Sequence, residues 1–340
     1  MTIDHLIAPY KLQRPVLTGS GLDGAFDSRA VDVPFVFFHN GRWHMTYVGF
    51  DGTGYQTALA VSDDLVHWEP QGVVLPRGSA RGWDSVGMAS TWILRDDDLY
   101  GPQTLKKIDG KYWMFYHAYP RPGYEAGGAE IGLAWTEDEA LRDWHFYGPP
   151  VFSWRDGNAW DRGGLYKSCV IERDGTFYMF YNAKNVDLED DGPVGWREQT
   201  GLATSTDMIH WTRFGEAPVL PVTPGAWDSV FASDPWVTWD SREKQWVMFY
   251  YGFNGIQAMD GVAVSRDLRH WEKFPAPILT TGAGGDLDSK YAHKPAVAWL
   301  DGALYHFYCA CRPARPEDRA RNGGEFRCLS VARSTPWANE

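Results

Sequence analysis

A chain of 340 residues with 44% apolar and 22% charged residues can bury a large core and is not disordered as a whole. Its formal net charge of −12 argues against nucleic acid or an anionic membrane as partner, while 18 Trp, 17 Tyr and 17 Phe suit a β-rich core and surfaces that stack sugar rings. No stretch approaches a membrane span and the first twenty residues hold no apolar run of signal-peptide type, so the sequence reads as cytoplasmic.

In chain order, residues 14–28 (RPVLTGSGLDGAFDS) come first, and they are the kind of passage that later closes each repeat. Hairpins follow at residues 38–49 (FHNGRWHMTYVG), 107–118 (KIDGKYWMFYHA), 172–183 (ERDGTFYMFYNA), 238–252 (TWDSREKQWVMFYYG) and 299–310 (WLDGALYHFYCA). Four of them turn on Asn-Gly or Asp-Gly between β-rich runs, the strongest short hairpin signal. Each leads into a third strand: LAVSDDLVHW, LAWTEDEALRDW, LATSTDMIHW, VAVSRDLRHW and a shortened SVARSTPW. The first four continue into a fourth strand (GVVLP, PPVFS, APVLP, APILT) and then into GWDS, AWDR, AWDS or DLDS. Five four-stranded units describe an all-β, five-bladed β-propeller over residues 1–340 as one domain. The fifth unit lacks its outer strand, and residues 14–28 are expected to supply it, closing the ring and removing an exposed edge.

Repetition separates structural residues from functional ones. Asp27, Asp84, Asp161, Asp228 and Asp288 occur in every unit and read as turn or cap residues. Trp83, Trp160 and Trp227 beside them are packing residues that would stack on sugar if any faces the pocket, and the repeated His67, His210 and His270 make poor metal ligands. The starts of the first strands differ from unit to unit: Asp32, Tyr100, Tyr166 with Lys167, Asp234, and His293 with Lys294. So do the ends of the second strands (His117, Asn182, Tyr251) and the long connections HAYPRPGYEAGGAE and NAKNVDLEDDGPVGWREQ. In a propeller these positions meet at one mouth of the central channel. Charge gathered there is costly unless it is functional or pins the blades together by salt bridges.

With these features the chain resembles the five-bladed β-propeller glycosidases of glycoside hydrolase families 43, 32, 117 and 130, through its blade count, its Asp-Pro strand starts and its Ser-x-Asp…Trp strand ends. The resemblance implies a general base or nucleophile at Asp32. Families 43 and 32 also carry a glutamate acid at an inner strand start, and none of the five starts here has one, which counts against a plain arabinofuranosidase, xylosidase or invertase. The family 117 pattern fits better, with Asp32, Asp234 and His293 as base, supporting carboxylate and acid, although Asp234 directly precedes its proline whereas Asp32 and His293 stand one residue earlier.

The expected activity is hydrolysis of a short oligosaccharide, exo-acting and inverting. Should His293 only bind sugar, the acid would be a loop carboxylate, Glu198, Glu130 or Glu125. Lys167, Lys294 and Arg312 would hold an anionic sugar or neutralise the aspartates. They also support the alternative of a phosphate-dependent phosphorylase, as in family 130. A non-catalytic sugar-binding propeller is the third reading. No cofactor or catalytic metal is expected, and a two-histidine site from His117 and His293 is disfavoured. A structural calcium ion in the central channel would suit carboxylate and carbonyl ligands, without a spacing that singles any out. Four cysteines (Cys169, Cys309, Cys311, Cys328) without CxxC spacing read as reduced and structural. Sugar identity and oligomeric state have no signature in the sequence.

Overall fold

The computed structural model describes residues 3–78, 82–187, 192 and 194–337. Part of the long connection at residues 182–199, namely 188–191 and 193, lies outside the described residues. Two short N-terminal strands, β1 (Tyr10–Lys11) and β2 (Leu17–Thr18), precede five successive antiparallel groups. The first group is β3 (Ala30–His39), β4 (Arg42–Phe50), β5 (Tyr55–Ser62) and β6 (Glu69–Leu75). The second is β7 (Gly87–Ile93), β8 (Lys107–Ile108), β9 (Lys111–Tyr119), β10 (Glu130–Thr136) and β11 (His145–Phe146). The third is β12 (Gly164–Arg173), β13 (Thr176–Lys184), β14 (Glu198–Ser205) and β15 (Thr212–Arg213). Then come β16 (Phe231–Asp240), β17 (Gln245–Phe253), β18 (Ala258–Ser265) and β19 (Glu272–Lys273), and last β20 (Tyr291–Leu300), β21 (Ala303–Pro313) and β22 (Glu325–Arg333). Short parallel contacts join β14 to β16 and β18 to β20, and β20 and β22 lie beside β3.

The local chemistry explains these elements. Asn40-Gly41, Asp109-Gly110, Asp174-Gly175 and Asp301-Gly302 all take positive φ at both positions, the turn geometry whose twist matches that of the flanking strands. The outermost strands are shorter than the sequence suggests. After β6, each is a two-residue ladder followed by one isolated bridge at Phe152, Leu220 or Leu279, because prolines in PPVFS, APVLP and APILT remove ladder donors. The N-terminal strands β1 and β2 both pair antiparallel with β22, so the start of the chain covers the edge of the last group.

A repeated lock holds the outer loops. Tyr116, Tyr181, Tyr250 and Tyr308 donate their hydroxyls to Asp84, Asp161, Asp228 and Asp288 at 3.1–3.3 Å. Trp83, Trp160 and Trp227 stack on the first three of those tyrosines, with ring centroids 5.6–5.9 Å apart. Trp83, Trp160 and Trp227, expected to stack on sugar only if they faced the pocket, line neither of the two cavities of the candidate site and pack against these tyrosines instead.

On the axis side, Phe35, Trp92 and Trp236 from three different groups meet at 4.9–5.4 Å and are fully buried. Beneath them, the segment between β7 and β8 crosses to β3, β16 and β20. Arg95 Nη1 donates to Val36 O at 2.6 Å, Leu99 N to Trp239 O at 2.9 Å, and Gln103 Nε2 to Trp299 O at 3.0 Å. Tyr100 sits in this segment against Trp299, which corrects its placement at a first-strand start. The first strand of that group is the apolar run GMASTWI upstream, and Ser90 and Thr91 hold the mouth positions. The crossing segment therefore links three of the other groups through their backbone carbonyls.

Candidate active site

All five first strands slip register at the same place: between Asp32 and Phe35, Ser90 and Trp92, Tyr166 and Ser168, Ser233 and Trp236, and His293 and Ala296. A bulge inserts residues without ladder partners and re-aims their side chains. Here the skipped residues include Val33, Thr91, Lys167, Asp234 and Lys294. Val33, Asp234 and Lys294 take positive φ (49°, 54° and 66°), each just before a proline. The bulge sorts the expected base, supporting carboxylate and acid into two sets. Asp234 belongs with Lys167 and Lys294, whereas Asp32 and His293 occupy the paired position one step earlier.

Two connected cavities follow from that sorting. An inner chamber of about 20 Å³ is lined by Lys167, Asp234, Lys294, His117, Asn182 and Tyr166, among others. An outer cavity of about 310 Å³ adjoins it, lined in addition by the aromatic residues Tyr124, Trp196, Phe231, Phe253 and Tyr291 and by His293 and Arg327. Glu125, Lys184, Glu198, Tyr251 and Lys294 line both and form the collar between them.

The two collar carboxylates differ in environment. Glu198 is buried and accepts from Asn182 Nδ2 at 3.0 Å and the Tyr251 hydroxyl at 3.2 Å. Burial pushes its pKa up, and the neighbouring Glu125 and Asp234 add to that against the opposing pull of Lys184. Glu125 accepts from Lys294 Nζ at 3.1 Å and Tyr55 at 3.2 Å. Burial opposes its ionisation, but Lys294 and Lys184 outweigh it and bring its carboxyl down to about 2. Lys184 stands between them, 3.7 Å from Glu125 Oε2 and 3.8 Å from Glu198 Oε1, with its ammonium 4.0 Å over the Tyr166 ring.

Asp32 lines neither cavity. Its Oδ2 takes Lys294 Nζ at 2.7 Å and the Tyr124 hydroxyl at 2.8 Å, Oδ1 takes the Val33 amide at 2.9 Å, and Arg327 Nη1 lies 3.7 Å away. Burial would raise its pKa, but Lys294, Arg327 and His293 hold it well below the carboxylate range. His293 donates Nδ1–H to Cys309 O at 3.0 Å, and burial with Lys294 and Arg327 nearby lowers it to about 3, so the ring is neutral. Asp234 receives the second Asn182 N–H at 2.9 Å, and burial raises its pKa. Arg312, expected to bind substrate, lies outside both cavities in a two-bond pair with Asp318 at 2.7 Å. Glu130 is outside as well, accepting from the Ser153 hydroxyl.

Among the described residues no cluster of three or more His, Cys, Asp or Glu has the geometry of a metal site. A calcium ion in the chamber would meet the ammonium groups of Lys167 and Lys294, so the residues present do not fit one.

The model of the glycosyl hydrolases family 32 N-terminal domain matches residues 96–286, more than half of the chain. The chain belongs to this family. Membership places it among the glycoside hydrolases of propeller type, the wider group that its repeats resemble. A solved structure described as a glycoside hydrolase superposes with a TM-score of 0.80 at 29% identity, over 98% of this chain and 94% of that one. A 1,2-β-oligomannan phosphorylase from Thermoanaerobacter sp. is 26% identical over 75% of this chain and 73% of its own length. A levanase from Bacillus sp. is 25% identical over 89% of this chain, which spans about a third of that protein.

Two residues of the candidate site in this family 32 chain escape the sequence reading, Lys184 and Arg327. Lys184 occupies the position that Phe50, Tyr119 and Phe253 hold in other groups, and Arg327 is the fifth-group equivalent of Glu198 at the start of the third strand. A lysine replacing an aromatic residue is a visible signal. The start of the third strand carries no turn signature to align the repeats on, and Glu198 enters only as a loop candidate.

Proposed function

We propose that the protein is a glycosidase that removes a terminal sugar from a short oligosaccharide, with Glu198 as general acid and Glu125 as the partner carboxylate. One observation carries this reading. The two glutamates line both cavities, and their surroundings drive their proton affinities apart, Glu198 upward and Glu125 to about 2. Glycosidic cleavage asks for that division: a protonated acid for the leaving oxygen and an ionised carboxylate for water or the anomeric carbon. The Lys184 contacts keep the facing oxygens within about 7.5 Å, a span that takes in the ~5–5.5 Å of retaining enzymes and the lower part of the ~6.5–9.5 Å of inverting ones. The five groups are, in this proposal, the blades of one closed ring whose single open mouth makes the enzyme exo-acting; β20 and β22 lying beside β3 supports closure.

Asp32, Asp234 and His293 act here as positioning residues. Asp32 fixes Lys294 beside Glu125, Asp234 and Glu198 share Asn182, and the neutral His293 offers Nε2 to a sugar hydroxyl.

Phosphorolysis is the second reading, favoured by the phosphorylase relative and by Lys184, Lys294 and Arg327 around the outer cavity. A panel of aryl glycosides and short oligosaccharides, assayed with and without phosphate, separates the two. Turnover without phosphate supports the hydrolase, and proton NMR of the first sugar released assigns retention or inversion. Turnover only with phosphate makes the enzyme a phosphorylase.

A further inference from the structure

The inner chamber has three features that the proposed chemistry leaves unused. Its size of about 20 Å³ admits roughly one water-sized group and no phosphate or carboxylate. Two of its lining residues carry fully buried polar atoms without a protein partner, Asn182 Oδ1 and His117 Nδ1. Lys167, which is 2% exposed, has three N–H bonds and one protein acceptor among the described residues, Pro295 O at 3.1 Å. Buried polar atoms in native proteins are almost always satisfied, so groups left open around one small void point to an occupant.

The lining also selects the chemistry of that occupant. Asn182 spends both amide hydrogens on Glu198 and Asp234, so its Oδ1 can only accept. Lys167 can only donate. A halide cannot donate to Asn182, and a metal cation cannot accept from Lys167. With Glu198 protonated in the proposed acid role, Lys167, Lys184 and Lys294 stand against Glu125 and Asp234, so charge alone does not turn an anion away and it is Asn182 Oδ1, which needs a donor, that excludes a halide. A neutral oxygen that both gives and receives a hydrogen bond meets every condition.

We propose that the inner chamber binds a single hydroxyl oxygen: a water in the free protein, replaced by one hydroxyl of the terminal sugar when the outer cavity is filled. The reading of the collar as the catalytic site supplies the sugar's position. The chamber's preference for a hydroxyl rests only on its own residues. The consequence is specificity at one ring position, because a deoxy analogue leaves Asn182 and Lys167 open and a charged substituent meets a like charge.

High-resolution crystal structures of the free protein and of Val33→Met test this first. Val33 lines the chamber beside the charged groups without belonging to them, and an unbranched side chain there fills the void. The expected density is one oxygen within hydrogen-bond distance of Asn182 Oδ1 and Lys167 Nζ in the wild type, absent in a Val33→Met protein of unchanged melting temperature. Crystals soaked in sodium bromide are expected to show no anomalous peak in the chamber. An empty wild-type chamber or a bromide peak overturns the proposal. Neither outcome depends on activity, so this arm stands or falls apart from the Glu125–Glu198 assignment.

The second arm uses whichever 4-nitrophenyl glycoside is turned over, with its monodeoxy analogues. One deoxy position is expected to lose about 100-fold in kcat/KM in the wild type and only a few-fold in Val33→Met. Equal losses in both proteins, with the water present, would restrict the chamber to holding water and overturn the sugar half of the proposal.

Discussion

Asp32, the base expected from its place in the repeat, lies in a dense set of contacts. Both of its oxygens are bonded, to Lys294, Tyr124 and the Val33 amide, and it is 1% exposed. Asp32→Asn would leave Lys294 and Arg327 short of a buried counter-charge, a loss of about 3–5 kcal/mol. Denaturant melts at pH 7 are expected to show it. A carboxylate whose folded pKa lies below the unfolded value of 3.8 adds stability above that value, and the stability is lost as pH falls below it. The gap between wild type and Asp32→Asn should therefore narrow in acid. At the collar, Lys184 lowers the pKa of both Glu125 and Glu198. Lys184→Met should move both limbs of the kcat/KM profile to higher pH, the ascending limb from near 2 and the descending limb further above the ordinary glutamate range. A merely structural lysine would change the rate and leave the limbs in place. His293 and Asp234 are readable as mouth residues because they differ between repeats, but their partners are not. Which side of a strand a residue faces depends on bulges that alternation alone does not reveal.

At the scale of elements, the hairpins are legible because Asn-Gly and Asp-Gly dictate a turn that few other pairs adopt. The Trp-Asp pairs are legible as repeats, while their job requires knowing which tyrosine lies beneath. One substitution is hidden by the strength of the surrounding pattern. Met45, Met114, Met179 and Met248 hold equivalent places, each opposite Val or Ile of its first strand, and His306 takes that place in β21 opposite Val297. His306 Nε2 and Asp260 Oδ2 are 2.9 Å apart and fully buried, where Thr57 and Thr200 stand in other groups. Burial raises Asp260 to about 6, so this carboxyl resists ionisation in spite of its partner. His306→Met alone should cost about 3 kcal/mol at pH 7, since it strands Asp260. His306→Met with Asp260→Thr restores the pattern of the other groups and should be neutral or stabilising in the same melts. A double variant as unstable as the single one would give the pair a role other than packing.

For the whole molecule, the docking of the N-terminal strands can be foreseen, because a last unit lacking its outer strand must find one elsewhere. β1 and β2 do pair with β22; Leu6, Leu12, Val16 and Leu17 of this N-terminal segment are buried, and Lys11 reaches Asp288 at 2.5 Å. Burying four such side chains is worth about 1.5–3 kcal/mol each, comparable in sum with the stability of an ordinary domain. Removal of residues 1–19 should give a protein that melts early and associates through the exposed edge of β22, read by thermal melts and size-exclusion chromatography. The crossing segment between β7 and β8 cannot be foreseen in this way, since its bonds to β3, β16 and β20 run to backbone carbonyls, which leave little mark on side-chain identity. It ties the first, fourth and fifth groups together, and in the proposed closed ring it would leave the cavities collared by Glu125 and Glu198 as the open end.

The roles of those two glutamates are tested most directly by comparing Glu198→Gln and Glu125→Gln on glycosides with poor and with activated leaving groups. Loss of an acid is expected to cost about 10²–10⁴-fold on the poor leaving group and little on 2,4-dinitrophenolate, which needs no proton, so Glu198→Gln should recover on the activated substrate. Glu125→Gln should remain impaired on both. Two variants that respond alike to the leaving group, or that keep wild-type rates, would contradict the assignment.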